Sequence, residues 1–395
     1  GDAGMIEFKL PSLGADMDDG TLLEWKVGVG DTVTKGQVIA VVDTAKAAVD
    51  VECWTPGTVH ELVAEVGQKM PVGTVMAILS ESGEKVGAGG TAECRPVANM
   101  GKAAVSPAAP TARRMISPAA RKHAEERGVD LDAVVGSGPN GAVTIDDVEN
   151  AAAQPAQVTA PKPAATPDKS AEMRKAIAAA MARSKREIPH YYVAEDIPLA
   201  KALVWLQAEN ARRPMAERLL PAAVLLKAVA VALARYPELN GFFRDGSFAP
   251  VAKINLGVAI SLRQGGLIAP ALLDVGARNV TQIMQGLTDL VKRTRAGSLR
   301  SSEMSEATIT VTNLGDQGSQ AVFGVIYPPQ VALVGFGRVA ERPWGDAEGG
   351  LKALPVVTAT LAADHRVSDG HRGALFLREL AELLQHPEEL EGLEK

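Results

Sequence analysis

Aromatic residues are scarce in this sequence and absent from one long internal stretch. The 395 residues include 7 Phe, 4 Trp and 4 Tyr, and none of these lies between Trp54 and Tyr191. Aromatic side chains supply much of the buried area of a typical hydrophobic core. The gap therefore argues against one uniformly packed globule and predicts several units, with the largest at the C-terminal end.

Three other scarcities exclude further classes of protein. The two cysteines, Cys53 and Cys94, lack metal-ligand spacing, and no secretory signal precedes them, so we expect a cytoplasmic protein without a metal site. A formal net charge of −6 provides no basic surface for nucleic acid. The most apolar run, residues 222–234, contains Lys227 and is too short to span a membrane. We expect neither nucleic acid nor a membrane as partner.

An internal repeat is present near the N-terminus. Residues 20–42 resemble residues 57–79 at an offset of 37, with eight of 23 aligned positions identical. Both copies alternate short β-rich runs with glycine-containing turns, as in a small antiparallel sheet. Two copies predict a flattened barrel with approximate two-fold symmetry, and the segment that joins them places residues 43–47 in a tight turn at one extremity.

Lys46 lies in this turn between Ala45 and Ala47. A single lysine in a turn is usually no more than a solvated surface charge. The segment, however, resembles a lipoyl domain, in which the lysine of a D-x-A-K-A turn carries lipoic acid in amide linkage. The resemblance implies covalent lipoic acid on Lys46. A carrier for biotin-dependent carboxylation is the alternative, and the alanine neighbours disfavour it because biotinyl carriers have methionine on both sides.

Two stretches rich in alanine and proline, residues 82–113 and 152–169, cannot bury a core and are expected to be flexible linkers. Between them, residues 117–118 begin one helix with a Ser cap followed by proline, and residues 144–147 begin a second with a capping-box pattern. The sequence therefore predicts a small helical domain at residues 114–151.

This small domain resembles the peripheral-subunit-binding domain of 2-oxo acid dehydrogenase complexes. The resemblance implies that it docks the 2-oxo acid decarboxylase and dihydrolipoamide dehydrogenase components. The family usually has a basic residue where this chain has Ala142. Arg121 and Lys122 are therefore the candidate partner-binding residues.

From residue 170 onward the chain regains aromatics and alternates helical with strand-like patterns, which predicts a mixed α/β domain. The predicted helices cover residues 172–185, 222–236, 281–295 and 372–384. The predicted strands cover residues 191–197, 254–260, 307–312, 330–339 and 355–361.

His365 lies in the segment ADHRVSDG, between an apolar strand and an amphipathic helix. Loops that join a strand to a helix commonly carry reactive groups. On spacing alone, a catalytic role would be the less frequent outcome. The spacing of His365, Asp369 and Gly370, however, resembles the H-x-x-x-D-G motif of the dihydrolipoamide acyltransferases and chloramphenicol acetyltransferase, as do residues 254–272, 310–315 and 328–339.

The chemistry of transfer between thiols explains why such residues are needed. A thiol with a pKa near 8.5 is mostly protonated at neutral pH, so a base must remove its proton, and the resemblance assigns this role to His365. The oxyanion needs a hydrogen-bond donor. The family's hydroxyl matches Thr312, with Asn313 beside it, and Asp369 matches a residue that organises the site through ionic contacts. No metal is required.

The resemblance covers nearly the whole chain in the order of the family's domains. It implies an all-β lipoyl barrel-sandwich at residues 5–81, an α-helical binding domain at 114–151, and an α/β domain like chloramphenicol acetyltransferase at 170–395. Residues 82–113 and 152–169 are the linkers between them.

The expected function is transfer of an acyl group, with acetyl as the default, from the lipoyl arm on Lys46 to coenzyme A. In the family, trimers place each active site between two chains and build cubic or dodecahedral cores. A branched-chain or succinyl transferase is one alternative. A non-catalytic scaffold is another, and the joint presence of His365, Thr312 and Asp369 argues against it.

Overall fold

The protein is described by a computed structural model. The residues described are 5–13, 17–44, 47–80, 120, 122, 124, 137, 143–153, 169–262, 266–346 and 348–391. The chain divides into two compact units, one formed by Gly1–Glu84 with Pro167–Lys395 and the other by Lys85–Thr166.

The N-terminal part of the first unit is a sandwich of two antiparallel sheets. Its strands are β1 (Met5–Lys9), β2 (Asp19–Trp25), β3 (Thr32–Val33), β4 (Val38–Asp43), β5 (Ala48–Glu52), β6 (Gly57–Leu62), β7 (Lys69–Pro71) and β8 (Val75–Ser80). One sheet has the order β1-β8-β6-β3 and the other contains β5-β4-β2-β7, so each strand has a counterpart in the opposite sheet. The predicted two-fold barrel is confirmed.

Glycines repeat with the strands because the same turns occur twice. Gly30 and its repeat partner Gly67 have φ of 93° and 89°, and Gly36 and Gly73 have φ of 84° and 88°. These values lie in the left-handed region, where glycine has no steric penalty. Side chains from both sheets, including Phe8, fill one shared core between them.

In the second unit, helix α1 (Ile145–Ala153) begins as the sequence predicts. The Asp147 carboxylate accepts hydrogen bonds from the backbone N–H and the hydroxyl of Thr144, both at 2.9 Å, and from the N–H of Ser137 at 3.0 Å. These bonds lower the pKa of the Asp147 carboxyl. They fix the start of the helix by satisfying backbone donors that have no partner within the helix.

The C-terminal part of the first unit is a mixed α/β domain. Its helices are α2 (Lys169–Glu187), α3 (Ala200–Ala211), α4 (Pro221–Leu233), α5 (Val280–Ala296), α6 (Ser301–Ser305), α7 (Gly370–Gln385) and α8 (Pro387–Glu391). Its strands are β9 (His190–Pro198), β10 (Gly241–Arg244), β11 (Ser247–Pro250), β12 (Leu256–Val258), β13 (Ile260–Ser261), β14 (Leu267–Ile268), β15 (Ala271–Leu272), β16 (Leu299–Arg300), β17 (Ile309–Asn313), β18 (Ala332–Phe336), β19 (Ala340–Gly345) and β20 (Leu351–Asp364).

The main sheet of this domain has the order β15-β12-β17-β18-β20-β19, and β9 also pairs with β20. Strand β17 is parallel to both β12 and β18, whereas β20 is antiparallel to β18. Helices α4 and α7 pack against each other beside the sheet. Among the described residues, no helix combines the length and apolarity needed to cross a membrane.

Helix α4 is apolar on nearly every face, as its sequence predicts, and it buries Lys227 completely. The Lys227 Nζ donates hydrogen bonds to the carbonyl oxygens of Arg278 at 2.6 Å and Gly276 at 3.2 Å. Burial lowers the pKa of this ammonium group. The bonds satisfy two backbone acceptors, so we interpret Lys227 as structural.

Candidate functional site

The turn that contains Lys46 is closed by its flanking residues. Strands β4 and β5 form an antiparallel hairpin in which Asp43 pairs with Ala48. The N–H of Thr44 donates to the carbonyl oxygen of Ala47 at 3.0 Å, the Thr44 hydroxyl donates to the same oxygen at 2.8 Å, and the N–H of Ala47 donates to Thr44 Oγ1 at 3.2 Å. Lys46 itself lies outside the described residues. The hairpin agrees with the tight turn expected around it.

His365 is held by its backbone while its side chain is exposed. It follows the last residue of β20, and its N–H donates to the carbonyl oxygen of Pro189 at 2.9 Å. The imidazole contacts the ring of Tyr191 edge to face, with the ring centroids 5.3 Å apart. Within the described part of the chain, no hydrogen bond occupies either ring nitrogen. The imidazole is therefore available to a substrate.

An ion pair between buried Asp364 and exposed Arg366 stabilises the turn that carries His365. The carboxylate of Asp364 is fully buried and accepts hydrogen bonds from the Arg366 backbone N–H and Nε, both at 2.9 Å, and from Nη2 at 2.7 Å. The Arg366 guanidinium also stacks 3.9 Å from the centroid of Phe243. A bidentate arginine restricts both its own position and that of its partner. The two residues on either side of His365 are thus fixed to each other.

Asp369 caps helix α7. Its carboxylate accepts a hydrogen bond from the backbone N–H of Arg372 at 3.0 Å, and this bond is the main cause of its lowered pKa. The guanidinium of Arg372 instead forms an ion pair with Glu238. The principal contact of Asp369 is therefore with the backbone at the start of the helix that follows His365. The ionic role expected for Asp369 stays a prediction.

Tyr191 is a contact of the candidate site that the sequence did not identify. Its hydroxyl lies 2.8 Å from Ser368 Oγ, and burial raises the pKa of the phenol. The polar side chain of Ser368 in this loop was the available signal, because a half-buried hydroxyl needs a partner.

Thr312 and Asn313 end strand β17. The Thr312 side chain is half-buried, and no hydrogen bond is formed by its hydroxyl within the described residues. Asn313 is exposed, and its Oδ1 accepts a hydrogen bond from the N–H of Gly315 at 2.9 Å. Asn313 thus shapes the turn after the strand, whereas the Thr312 hydroxyl is free to donate.

A single chain does not bring His365 and Thr312 together. Thr312 is in register with Gly335, and Gly335 is in register with Thr360. His365 follows Thr360 by five residues, which corresponds to about 16 Å along the strand direction at roughly 3.3 Å per residue. A base and an oxyanion donor must both lie close to the same reacting carbon. The two groups cannot serve one reaction centre within one chain.

Two adjoining cavities lie along the surface near Arg366. The first has a volume of about 240 Å³ and its lining includes Met304 and Arg244. The second has a volume of about 640 Å³ and its lining includes Arg244 and Arg366. Ser12 and residues 328–330 line both. Met304 lines only the first cavity, and Arg366, the residue next to His365, lines only the second.

His190 has a structural role. Its Nδ1 lies 2.8 Å from the carbonyl oxygen of Ile188, and its Nε2 accepts a hydrogen bond from the N–H of Ile326 at 3.1 Å. The pattern assigns the proton of the neutral ring to Nδ1, and burial lowers the pKa of His190. Both ring nitrogens therefore form hydrogen bonds, and these connect the backbone at Ile188 to the backbone at Ile326.

The other predicted residues fall in the second unit. Lys122 is helical and exposed. Arg121 lies outside the described residues. No group of three or more His, Cys, Asp or Glu side chains suited to a metal occurs in the part of the chain that the structure describes.

Comparison with known proteins settles the family. The sequence profile described as 2-oxoacid dehydrogenases acyltransferase (catalytic domain) matches residues 163–391, more than half of the chain. The chain belongs to this acyltransferase family. Two further profiles match the acyltransferase upstream, described as Biotin-requiring enzyme at residues 6–89 and e3 binding domain at residues 114–149. The predicted fold classes and their order are confirmed.

Relatives in sequence match the acyltransferase over nearly its whole length, and a solved structure matches about half of it. The dihydrolipoyllysine-residue acetyltransferase component of the pyruvate dehydrogenase complex of Staphylococcus aureus is 31% identical, over 97% of this chain and 98% of the relative. The mitochondrial counterpart of Caenorhabditis elegans is 30% identical, over 96% and 83%. A crystal structure of a probable dihydrolipoamide acetyltransferase from Listeria monocytogenes is 27% identical and covers 54% of this chain and 92% of its own, with a TM-score of 0.52.

Proposed function

We propose that this acyltransferase transfers an acetyl group from a lipoyl arm on Lys46 to coenzyme A, as the core component of a 2-oxo acid dehydrogenase complex. The observation that carries the proposal is the exposed imidazole of His365, which a rigid turn presents without a hydrogen-bond partner among the described residues. Relatives that match 96–97% of the chain are named as acetyltransferases of pyruvate dehydrogenase complexes.

The residues around Lys46 fit a lipoyl group. Thr44 and Ala47 close the turn by hydrogen bonds, and the sequence has the small residues Ala45 and Ala47 on either side of Lys46. When bound, the lipoyl group supplies the thiol that carries the acetyl group.

His365 performs the proton transfers in the proposed mechanism. Its imidazole accepts the proton of the coenzyme A thiol while the sulfur forms a bond to the acetyl carbonyl carbon. The hydroxyl of Thr312 donates a hydrogen bond to the carbonyl oxygen as negative charge develops there. When the bond to the original sulfur breaks, the imidazolium returns its proton to that leaving thiolate. Atoms and charge balance, and no metal is needed.

Each active site is proposed to form between two copies of the chain. The register of the main sheet separates Thr312 from His365 within one chain, so the Thr312 hydroxyl must come from a neighbouring copy. A closed homotrimer meets this requirement with three equivalent sites. Cubic or dodecahedral assembly of such trimers is the proposed core.

We also propose roles for four further residues and a location for the protein. Asp369 fixes the start of α7, and Asn313 shapes the turn that presents Thr312. Arg121 and Lys122 contact the decarboxylase or dehydrogenase component. The low cysteine content supports a cytoplasmic location.

The proposed domain boundaries are 5–81, 114–151 and 170–395, with linkers at 82–113 and 152–169. The profile matches at 6–89, 114–149 and 163–391 support this division.

Substitution of Lys46 by arginine tests the lipoyl attachment. Arginine cannot form the amide that joins lipoic acid to lysine, so we expect the variant to lose the entire lipoyl mass increment. Intact-mass spectrometry of protein produced in cells supplied with lipoate is the measurement. Lys69→Arg, a change at an exposed lysine of the same barrel, is the matched control and should keep the increment. Retention of the increment by Lys46→Arg would rule out this attachment site.

The acyl group is tested by comparing acyl-CoA donors in the reverse reaction, with free dihydrolipoamide as acceptor. We expect kcat/KM for acetyl-CoA to exceed that for isobutyryl-CoA and succinyl-CoA by at least about tenfold, since each methylene changes binding by roughly 1–3 kcal/mol. A preference for isobutyryl-CoA or succinyl-CoA would reassign the substrate. An absence of transfer with all three donors would leave only the scaffold alternative.

A further inference from the structure

The second sheet of the barrel gains a strand from the catalytic domain. Strand β16 pairs in parallel with β5, with Leu299 opposite Val49 and Arg300 opposite Asp50. Without β16, β5 would be an edge strand with unpaired backbone groups. Strand β5 begins two residues after Lys46. The catalytic domain therefore holds the barrel at the strand that follows the lipoyl turn.

The two-fold symmetry of the barrel provides an internal reference for this contact. Strand β1 occupies the position in the first sheet that β5 occupies in the second, and both have five residues. Along β1 the residues are exposed, half-buried, exposed, buried and exposed, whereas along β5 they alternate between half-buried and buried. Four of the five positions are thus more buried on β5. The strand contacted by the catalytic domain is covered, and its symmetric counterpart is not.

Glu52 forms the polar part of the contact. Its backbone N–H donates to Ser301 Oγ at 3.0 Å, and its carboxylate Oε2 accepts from the N–H of Ser302 at 3.1 Å and from Ser301 Oγ at 3.4 Å. Main-chain pairing supplies affinity in strand addition, and side chains beside the strand supply specificity. Among the residues of β5, Glu52 is the one whose side chain hydrogen-bonds to the catalytic domain.

Apolar contacts also join the barrel to the catalytic domain beside strand β16. Ala47, next to Lys46, packs against the hydrophobic core of the catalytic domain. Met304 packs against that core and also against the core of the barrel. Leu299 and its partner Val49 are fully buried. The contact therefore combines backbone pairing, polar side chains and buried apolar surface.

The catalytic side of the contact is held rigidly. Glu303 accepts hydrogen bonds from the backbone N–H of Arg300 at 2.9 Å and from Arg293 Nη1 at 2.6 Å. This pair connects β16 and α6 to helix α5. Arg300 also places a positive charge near Asp50. A rigid surface loses little conformational entropy when it binds a partner.

We propose that residues 299–305 form a docking surface that captures the lipoyl domain of the same chain by parallel strand addition to β5, with Glu52 as the specificity-determining residue. Met304 of this surface also lines the first cavity, and the second cavity, which shares residues 328–330 with the first, is lined by Arg366 next to His365. The paired strands β5 and β16 belong to the same chain, so the proposed occupant is the chain's own lipoyl domain. The proposal rests on the proposed function and specifies how the acyl carrier is recognised.

Replacement of Glu52 by lysine is the principal test, carried out on the full lipoylated chain. Acetyl-CoA is the donor, and two acceptors are compared, namely the reduced lipoyl group of the chain itself and free dihydrolipoamide. We expect the Glu52→Lys variant to acetylate its own lipoyl group about tenfold or more slowly, because hydrogen bonds to a charged group are lost. The rate with free dihydrolipoamide should stay within about twofold.

Glu7→Lys is the matched control, because Glu7 is an exposed glutamate on the symmetric strand β1. It should leave both rates unchanged. Equal rates for Glu52→Lys and Glu7→Lys on the chain's own lipoyl group would overturn the proposal. A loss of equal size with both acceptors would also overturn it, since free dihydrolipoamide does not use the docking surface.

Hydrogen exchange separates failure of docking from failure of the proposed function. Backbone amides of residues 49–52 and 299–302 are measured in the full chain without any acyl donor. We expect slow exchange in the wild type and Glu7→Lys, and faster exchange of both segments in Glu52→Lys. Unchanged exchange in Glu52→Lys would contradict docking, even if the wild type transferred no acetyl group to any acceptor.

A photo-crosslink tests whether the lipoyl domain on the docking surface belongs to the same chain or to another copy. A benzophenone amino acid in place of Met304 should crosslink to residues 47–53, and the product should have the mass of one chain on a denaturing gel. Crosslinks between two chains would show that the captured domain belongs to another copy and would overturn the assignment to the same chain.

Discussion

Replacement of His365 by alanine is expected to lower kcat for acetyl transfer to free dihydrolipoamide by about a thousandfold, within the range of 10²–10⁴ typical of general acid–base catalysis. The imidazole is exposed, and its backbone bond to Pro189 does not depend on the side chain. KM and the unfolding temperature should therefore change little. Initial rates with acetyl-CoA as donor, together with a thermal melt, measure the effect.

His386→Ala is the control for this experiment. His386 lies at the other end of helix α7, with about half of its side chain exposed, at 52%. It should keep full activity. If His365→Ala also keeps full activity, the catalytic assignment is wrong and the chain is the scaffold relative. If the variant loses activity together with its thermal transition, the conservative variant His365→Gln repeats the test in a folded protein.

Thr312→Ala and His365→Ala chains are expected to restore each other's activity when they are assembled together. Thr312→Ala alone should lower kcat by about 10²–10³, the usual effect of removing one oxyanion donor. If each site takes His365 from one copy and Thr312 from the next, random mixing of equal amounts gives about one quarter of the sites both wild-type groups. Activity should therefore rise from below 1% to roughly 25% of wild type.

The double variant provides the control for complementation. Chains that carry both substitutions, mixed with wild type in equal amounts, should also leave about one quarter of the sites intact. They should restore nothing when mixed with either single variant beyond its own residual rate. If the two single variants remain inactive after co-refolding into a common oligomer, each site uses both residues of one chain and the register argument fails.

The barrel and its turn could be predicted from the sequence because their determinants are local and repeated. Gly30 and Gly67 occur at equivalent positions, and each requires the left-handed backbone that the repeat implies. The long elements of the catalytic domain were also predictable, since α4 and β20 have continuous apolar patterns. The strand and helix patterns placed His365 in the turn after β20, where the structure has it, and family resemblance assigned its role.

Other features depend on contacts between residues that are far apart in the sequence, and no local sequence pattern predicts them. Helix α3 has an apolar pattern too irregular to indicate an amphipathic helix, and it was not predicted. Strand β16 has only two residues, and Ser301 hydrogen-bonds to Glu52 across 249 positions. No local pattern specifies such a pairing. For the same reason, the contact between Tyr191 and Ser368 could not be foreseen from the loop motif alone.

The symmetric barrel has two similar outer strands, β1 and β5, to which a partner could bind. Its two outer strands have equivalent positions and equal lengths, so backbone geometry alone would allow a partner to bind either one. The residues that end these strands carry opposite charges, Lys9 on β1 and Glu52 on β5. Glu52 ends the strand that follows the lysine turn, and it lies at the end of that strand away from the turn. The symmetric barrel thus carries an asymmetric charge, and the sign of that charge distinguishes the strand that the proposed docking surface binds from its symmetric counterpart.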